Sequence, residues 1–93
     1  MIRVSVMYPK ADDATFDFDY YKTTHMDLVK EHMKASRTEV DKCVNGPYMC
    51  IGHLYFDSMD ALQAGMAGAE PVLADIPNFT NAEAVMSTSE VLA

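Results

Sequence analysis

Ile2, Val4, Val6 and Tyr8 alternate with Arg3, Ser5 and Met7, the period-two pattern of a strand with one strongly apolar face. Pro9 ends that run, and "KADDAT" reads as a polar loop. The period then changes. At about 100° per residue, Phe18, Tyr21, His25, Leu28, Val29 and His32 fall on one side of a helix running from Phe18 to Met33 or a little beyond. Asp19, Lys22, Thr23, Asp27, Lys30, Glu31 and Lys34 take flanking or opposite positions. Asp17 is placed to cap this helix, because its carboxylate can accept from a backbone N–H two or three residues on. The apolar stripe of the helix therefore carries two titratable rings, His25 and His32.

"SRTEVDKCV" is a weak second strand, and "NGP" marks a turn that Pro47 makes more complex than a two-residue hairpin. "YMCIGHLYF" is the strongest strand in the chain. Met49, Ile51, His53 and Tyr55 point one way and Tyr48, Cys50, Leu54 and Phe56 the other, so both faces are largely apolar and both call for cover. A helix capped by Asp57 or Ser58 follows, with Met59, Leu62 and Met66, then Val72 and Leu73, at helical spacing. Gly68 and Pro71 divide it into a first helix and a short second one. "IPNFTN" is a loop, and "AEAVMSTSEVL" closes as a strand of mixed polarity. The order strand, helix, strand, strand, helix, strand predicts an α+β fold of the ferredoxin-like βαββαβ type, one antiparallel sheet with its helices on one face, as a single domain over residues 1–93. The sheet face left uncovered predicts a homodimer joined sheet to sheet.

Composition narrows the partners. The formal net charge of −7 argues against nucleic acid, whose phosphates require clustered Lys and Arg, and against an acidic membrane surface. No apolar run approaches the roughly 20 residues needed to span a bilayer. The opening "MIRVSVMYPK" lacks the long apolar core of a secretory leader. With Cys43 and Cys50 as the only cysteines, the expected setting is the reducing cytoplasm. Eight Met in so short a chain suit an irregular core or an adaptable pocket. There is no Gly-rich phosphate loop, nucleophile elbow or dinucleotide fingerprint, so no nucleotide or other cofactor is expected. No metal is expected either. His25 and His32 stand two full turns apart, not at the i, i+4 spacing of helical zinc sites, and Cys43 and Cys50 lack CxxC spacing.

The chain resembles the EthD family. The matching pieces are "FDFDYYKTTHMDLV" at 16–29, "IGHLYFDSMDALQAG" at 51–65 and "ADIPNFTNAEAVMSTSEV" at 74–91, with the opening "IRVSVMYP". The resemblance implies a dimeric α+β barrel, in which ligands often lie in a cleft between sheet and helices. It also implies a small hydrophobic or oxygenated molecule as ligand. EthD is associated with bacterial degradation of ethyl tert-butyl ether beside an oxygenase system, and relatives in the wider group include isomerases, cyclases and monooxygenases. The segment "KASRTEVDKCVNGPY" is compressed against that pattern, which bears on the cleft if the segment helps to roof it. Three functional readings follow: acid–base chemistry on a small molecule, a non-catalytic accessory module for an oxygenase, and a cofactor-free or haem-linked monooxygenase.

His25 matches the histidine of the family's "YYxxxH" element and is the candidate acid–base residue, since an imidazole can take and return a proton near neutrality. The alternative is a core histidine hydrogen-bonded within the fold. Tyr21, on the same stripe, is a candidate ligand contact, while Tyr20 is expected to pack at the edge. His53 and Tyr55 share one face of the central strand. If that face meets the helices they share a cleft with His25 and Tyr21; if it meets a partner they belong to an interface, which is the preferred reading for His53. Asp75 and Asn78 can orient an imidazole or cap the final turn, with capping preferred.

Overall fold

The alternation at the start of the chain becomes strand β1 (Ile2–Pro9) in the computed structural model, which describes residues 1–93. Ile2, Val4, Val6 and Tyr8 are buried and the residues between them half-buried. One unbroken helical run follows, composed of an α turn (Phe18–Tyr20), a π-helical segment (Tyr21–His25) and an α-helix (Met26–Met33). Asp17 caps it as expected, its Oδ1 accepting from the Tyr20 N–H at 3.1 Å. Lys34, in the left-handed region at φ 59°, ends it.

The π segment is not announced by the sequence, and it corrects the predicted stripe. Its wider turn inserts about one residue into the helical count, which rotates every later side chain around the axis. Tyr21, His25, Met26, Val29 and Met33 are buried, whereas Leu28 is only half-buried. His32 leaves the stripe altogether: its side chain keeps 35% exposure and lies 4.0 Å from Glu31.

Strands β2 (Arg37–Lys42), β3 (Tyr48–Phe56) and β4 (Val85–Glu90) join β1 in a four-stranded antiparallel sheet of order β2-β3-β1-β4. The second helix (Met59–Met66) is capped by Ser58, whose Oγ accepts from the Ala61 N–H at 3.1 Å. The expected break comes at 67–69, before a third helix (Glu70–Asp75) and a 3-10 turn (Ile76–Asn78) that opens the predicted loop. The helices lie on one face of the sheet. Val4, Val6, Tyr8, Cys50, Leu54 and Phe56 from that face join Tyr21, Met26, Val29, Met33, Leu62, Val72 and Phe79 in the core. Gly52 permits the closest approach in this layer: a Cβ there would overlap the Tyr21 hydroxyl.

The other face is more mixed than its predicted apolar character. Strand register arranges it in rows across β2, β3, β1 and β4: Asp41–Ile51–Met7–Val85, Glu39–His53–Ser5–Ser87 and Arg37–Tyr55–Arg3–Ser89. Only the first row is mainly apolar. In the others, Arg37 lies over the Tyr55 ring at 4.2 Å, and the Tyr55 hydroxyl donates to Glu39 at 2.6 Å.

Candidate functional site: a histidine–aspartate pair on an apolar cavity

His25 closes the π segment, and its ring is turned inward with 3% exposure. It lies parallel to the Tyr21 ring at 5.2 Å and edge-on to Phe79 at 4.6 Å, which fixes the imidazole plane. Its Nδ1 is 2.9 Å from Asp75 Oδ2. The carboxylate arrives from the last residue of the third helix, 50 positions along the chain. Its other oxygen, Oδ1, accepts from the Tyr20 hydroxyl at 2.7 Å and from the Asn78 side-chain amide at 2.9 Å.

These contacts set the charge state. Burial raises the Asp75 pKa, but the hydrogen bonds from Tyr20, Asn78 and His25 outweigh it and hold the carboxyl below its ordinary 3.8. Burial also disfavours an imidazolium, and this pulls the His25 pKa below 6.5 against the opposing attraction of Asp75. A neutral ring facing an ionised carboxylate carries its proton on Nδ1 and donates it to Asp75. Nε2 is then left with a free lone pair, and it has no hydrogen-bond partner in the protein.

Beside the ring lies a cavity of about 500 Å³ between the sheet and the helices. Val6, Tyr8, Leu54 and Met86 form its floor; Met26, Val29 and Met33 form one wall, and Ala69, Val72 and Ile76 the opposite one. Of its 18 lining residues 15 are hydrophobic, and the remainder are His25, Pro77 and Glu83. Met66, Leu73 and Met86, each about half exposed, mark the rim. Tyr8 and Tyr21 also line it. Burial pushes the Tyr8 phenol up to about 12 and raises that of Tyr21 as well, so both stay protonated at ordinary pH. A base in an apolar, preformed cavity of this size is the arrangement of a small-molecule site.

The structure brings His25, Tyr21 and Asp75 together; the Asp75 side chain meets His25 and the Asn78 amide and makes no cap hydrogen bond to the turn that follows. Tyr20, expected to pack at the edge, is the further residue that the sequence did not reveal; its hydroxyl is the shortest contact to the Asp75 carboxylate. His53 and Tyr55 are not brought to the cavity. They lie on the opposite face of β3, where His53 Nε2 is 2.7 Å from Asp41 Oδ2 and Nδ1 is 3.3 Å from Ser5 Oγ. No residue of the segment 34–48 lines the cavity. No helix is long and apolar enough to cross a membrane.

Among solved structures, an EthD-like protein from Ralstonia eutropha JMP134 is 33% identical, with a TM-score of 0.85, and the match covers 99% of this chain and 92% of that one. The chain belongs to the EthD family. An ethyl tert-butyl ether D (EthD) family protein from Bacillus halodurans C-125 shares the EthD-like fold at 18% identity and a TM-score of 0.66, covering 99% of both chains. HapK from Hahella chejuensis shares it at 13% identity and a TM-score of 0.64, covering 97% of this chain and 92% of that one. No protein-family model and no curated protein matches the chain. The "YYxxxH" element and "ADIPNFT", two pieces of the EthD resemblance, are the segments that supply Tyr20, Tyr21 and His25 on one side and Asp75 and Asn78 on the other.

Proposed function

We propose that this EthD-family protein binds a small hydrophobic or oxygenated molecule in the cavity beside His25 and moves a proton on it. The observation that carries the reading is the free Nε2 of a neutral His25, locked by Asp75 through Nδ1 on the wall of an apolar cavity. Nε2 takes a proton from the bound molecule. The imidazolium so formed is stabilised by the ionised Asp75 at 2.9 Å, and Nε2 returns the proton to a second position, as an isomerisation, enolisation or cyclisation requires. Asp75 is the positioning residue, held in turn by Tyr20 and Asn78. Tyr21 and Phe79 hold the ring in plane.

The same reading takes the four-stranded sheet as a ferredoxin-like unit whose open face meets a second copy, completing a dimeric α+β barrel. Two features support it. Arg3 Nε is buried without a hydrogen-bond partner in the single chain, and the apolar row of Ile51, Met7 and Val85 lies on that face. His53 and Tyr55 then belong to the interface. The resemblance to the EthD family suggests a setting in the breakdown of ethers or similar compounds beside an oxygenase, and the free thiols of Cys43 and Cys50 suit a reducing cytoplasm.

The test is an NMR titration of the His25 ring in wild type, with His25→Ala to assign the signal, with and without small aromatic and lactone ligands. A ring that titrates below the ordinary range and moves on ligand addition sustains the site; a ring silent to both is a packing residue. Once a substrate is in hand, His25→Ala abolishes turnover while light scattering still reports a dimer. Retained turnover refutes the acid–base role, and a monomeric mass at micromolar concentration refutes the barrel.

A further inference from the structure

The chemistry of the cavity wall selects its ligand more narrowly than its size does. The chain has seven Lys and Arg residues, and none lines the cavity. The only ionisable groups on the wall besides the two buried phenols are His25 and Glu83. Behind His25 stands the Asp75 carboxylate, 2.9 Å from Nδ1 and accepting three hydrogen bonds. Each fixed charge near the cavity is therefore negative, and burial leaves that of Asp75 poorly screened. An anion entering this space loses its hydration and finds no Lys or Arg side chain to replace it. The one free polar atom of the imidazole is Nε2, and it is an acceptor.

We infer that the site takes an uncharged, largely apolar molecule that presents a single O–H or enolisable C–H to His25 Nε2, and that it rejects carboxylates of the same shape. A phenol or an enol fits this description; an acid or a phosphate ester does not. The inference rests on the proposed function of the cavity, and it adds the class of ligand. It also assigns Glu83 a part, as the rim charge that meets an approaching anion first.

Three probes of one ring size separate the terms: 2-naphthol, its methyl ether 2-methoxynaphthalene, and 2-naphthoate. Their affinities are measured by calorimetry at pH 7.5, with the His25 ring nitrogens followed by NMR. The expected order is the naphthol first, the ether at least tenfold weaker, and the carboxylate at least a hundredfold weaker. Only the naphthol shifts the Nε2 signal, since only it has a proton to donate there. In His25→Phe, checked for the native pattern of amide signals, the naphthol loses its advantage over the ether. Glu83→Gln narrows the gap to the carboxylate by several-fold. Equal binding of naphthol and ether by wild type overturns the role given to Nε2. Binding of the carboxylate as tight as that of the naphthol overturns the charge argument, while leaving the cavity as a ligand site. If none of the three binds and the His25 signals stay fixed, the small-molecule reading itself fails, and this inference with it.

Discussion

Two histidine–aspartate pairs lie on opposite sides of the same sheet. On the covered side His25 Nδ1 is 2.9 Å from Asp75 Oδ2, with side-chain exposures of 4% and 8%. On the open side His53 Nε2 is 2.7 Å from Asp41 Oδ2, with exposures of 17% and 58%. The shorter contact is the more exposed one, so distance does not distinguish the two. What differs is the surroundings. Water reaches most of Asp41 and screens its charge, so a bond there adds little to stability. Asp75 exchanges its water for three protein donors, and His25 exchanges its own for aromatic faces and an apolar cavity. The fold lowers the pKa of both His25 and Asp75 and leaves a free lone pair of the His25 ring beside the apolar cavity. The same two residue types yield a surface contact in one place and a buried pair beside an apolar cavity in the other.

The comparison predicts unequal mutants. Asp75→Ala leaves the Nδ1–H of a buried imidazole and the Tyr20 hydroxyl without their acceptor, and its expected loss by urea denaturation is about 2–3 kcal/mol. Asp41→Ala is expected to lose less than about 1 kcal/mol. Equal losses would erase the distinction between the two sides. Gly52→Ala tests the packing that holds the His25 ring plane, because the new Cβ meets the Tyr21 hydroxyl within the core. Its expected cost is about 1–3 kcal/mol, with a changed near-ultraviolet signal from the tyrosines; a neutral result would mean that Tyr21 can move aside freely.

The pH dependence sharpens the contrast. Burial holds the folded-state pKa of His25 below 6.5, so between that folded value and 6.5 the unfolded chain binds more protons than the folded one. Stability is therefore complete above pH 6.5 and falls as the pH drops toward the folded value, with a slope of at most about 1.4 kcal/mol per pH unit. Asp75, whose pKa is depressed below 3.8, adds a further loss as the pH falls through its own folded value. Thermal melts from pH 8 to 5 should show the first loss in wild type and a flattened profile in His25→Phe. An unchanged slope in that variant would mean that another group controls the acid limb. The smallest effect is expected for Tyr20→Phe. It removes one of three donors to Asp75 and should lower stability less than Asp75→Ala, while moving the His25 ring signals in the NMR titration. Unmoved ring signals would mean that Tyr20 has no hold on the pair.

The sequence by itself determined the elements and their order. Alternation at Ile2, Val4, Val6 and Tyr8 requires a strand with one buried face, because side chains two apart share a side of the pleat. Asp17 and Ser58 mark the starts of their helices through contacts that span three residues, and so the local sequence carries them. The "YYxxxH" element likewise singled out His25. Tertiary structure alone decided the rest. The π segment has no proline or glycine to announce it, and it turned His32 out of the stripe and Met26 and Met33 into it. Alternation could not say which face of β3 the helices cover; their packing left His53 and Tyr55 on the other one. Asp75 was visible as a candidate, but its service to His25 depends on a contact across 50 residues, made only when the third helix docks. Local periodicity records which side of an element is apolar. It carries no record of what that side will meet, and the protonation state of His25 is set by what it meets.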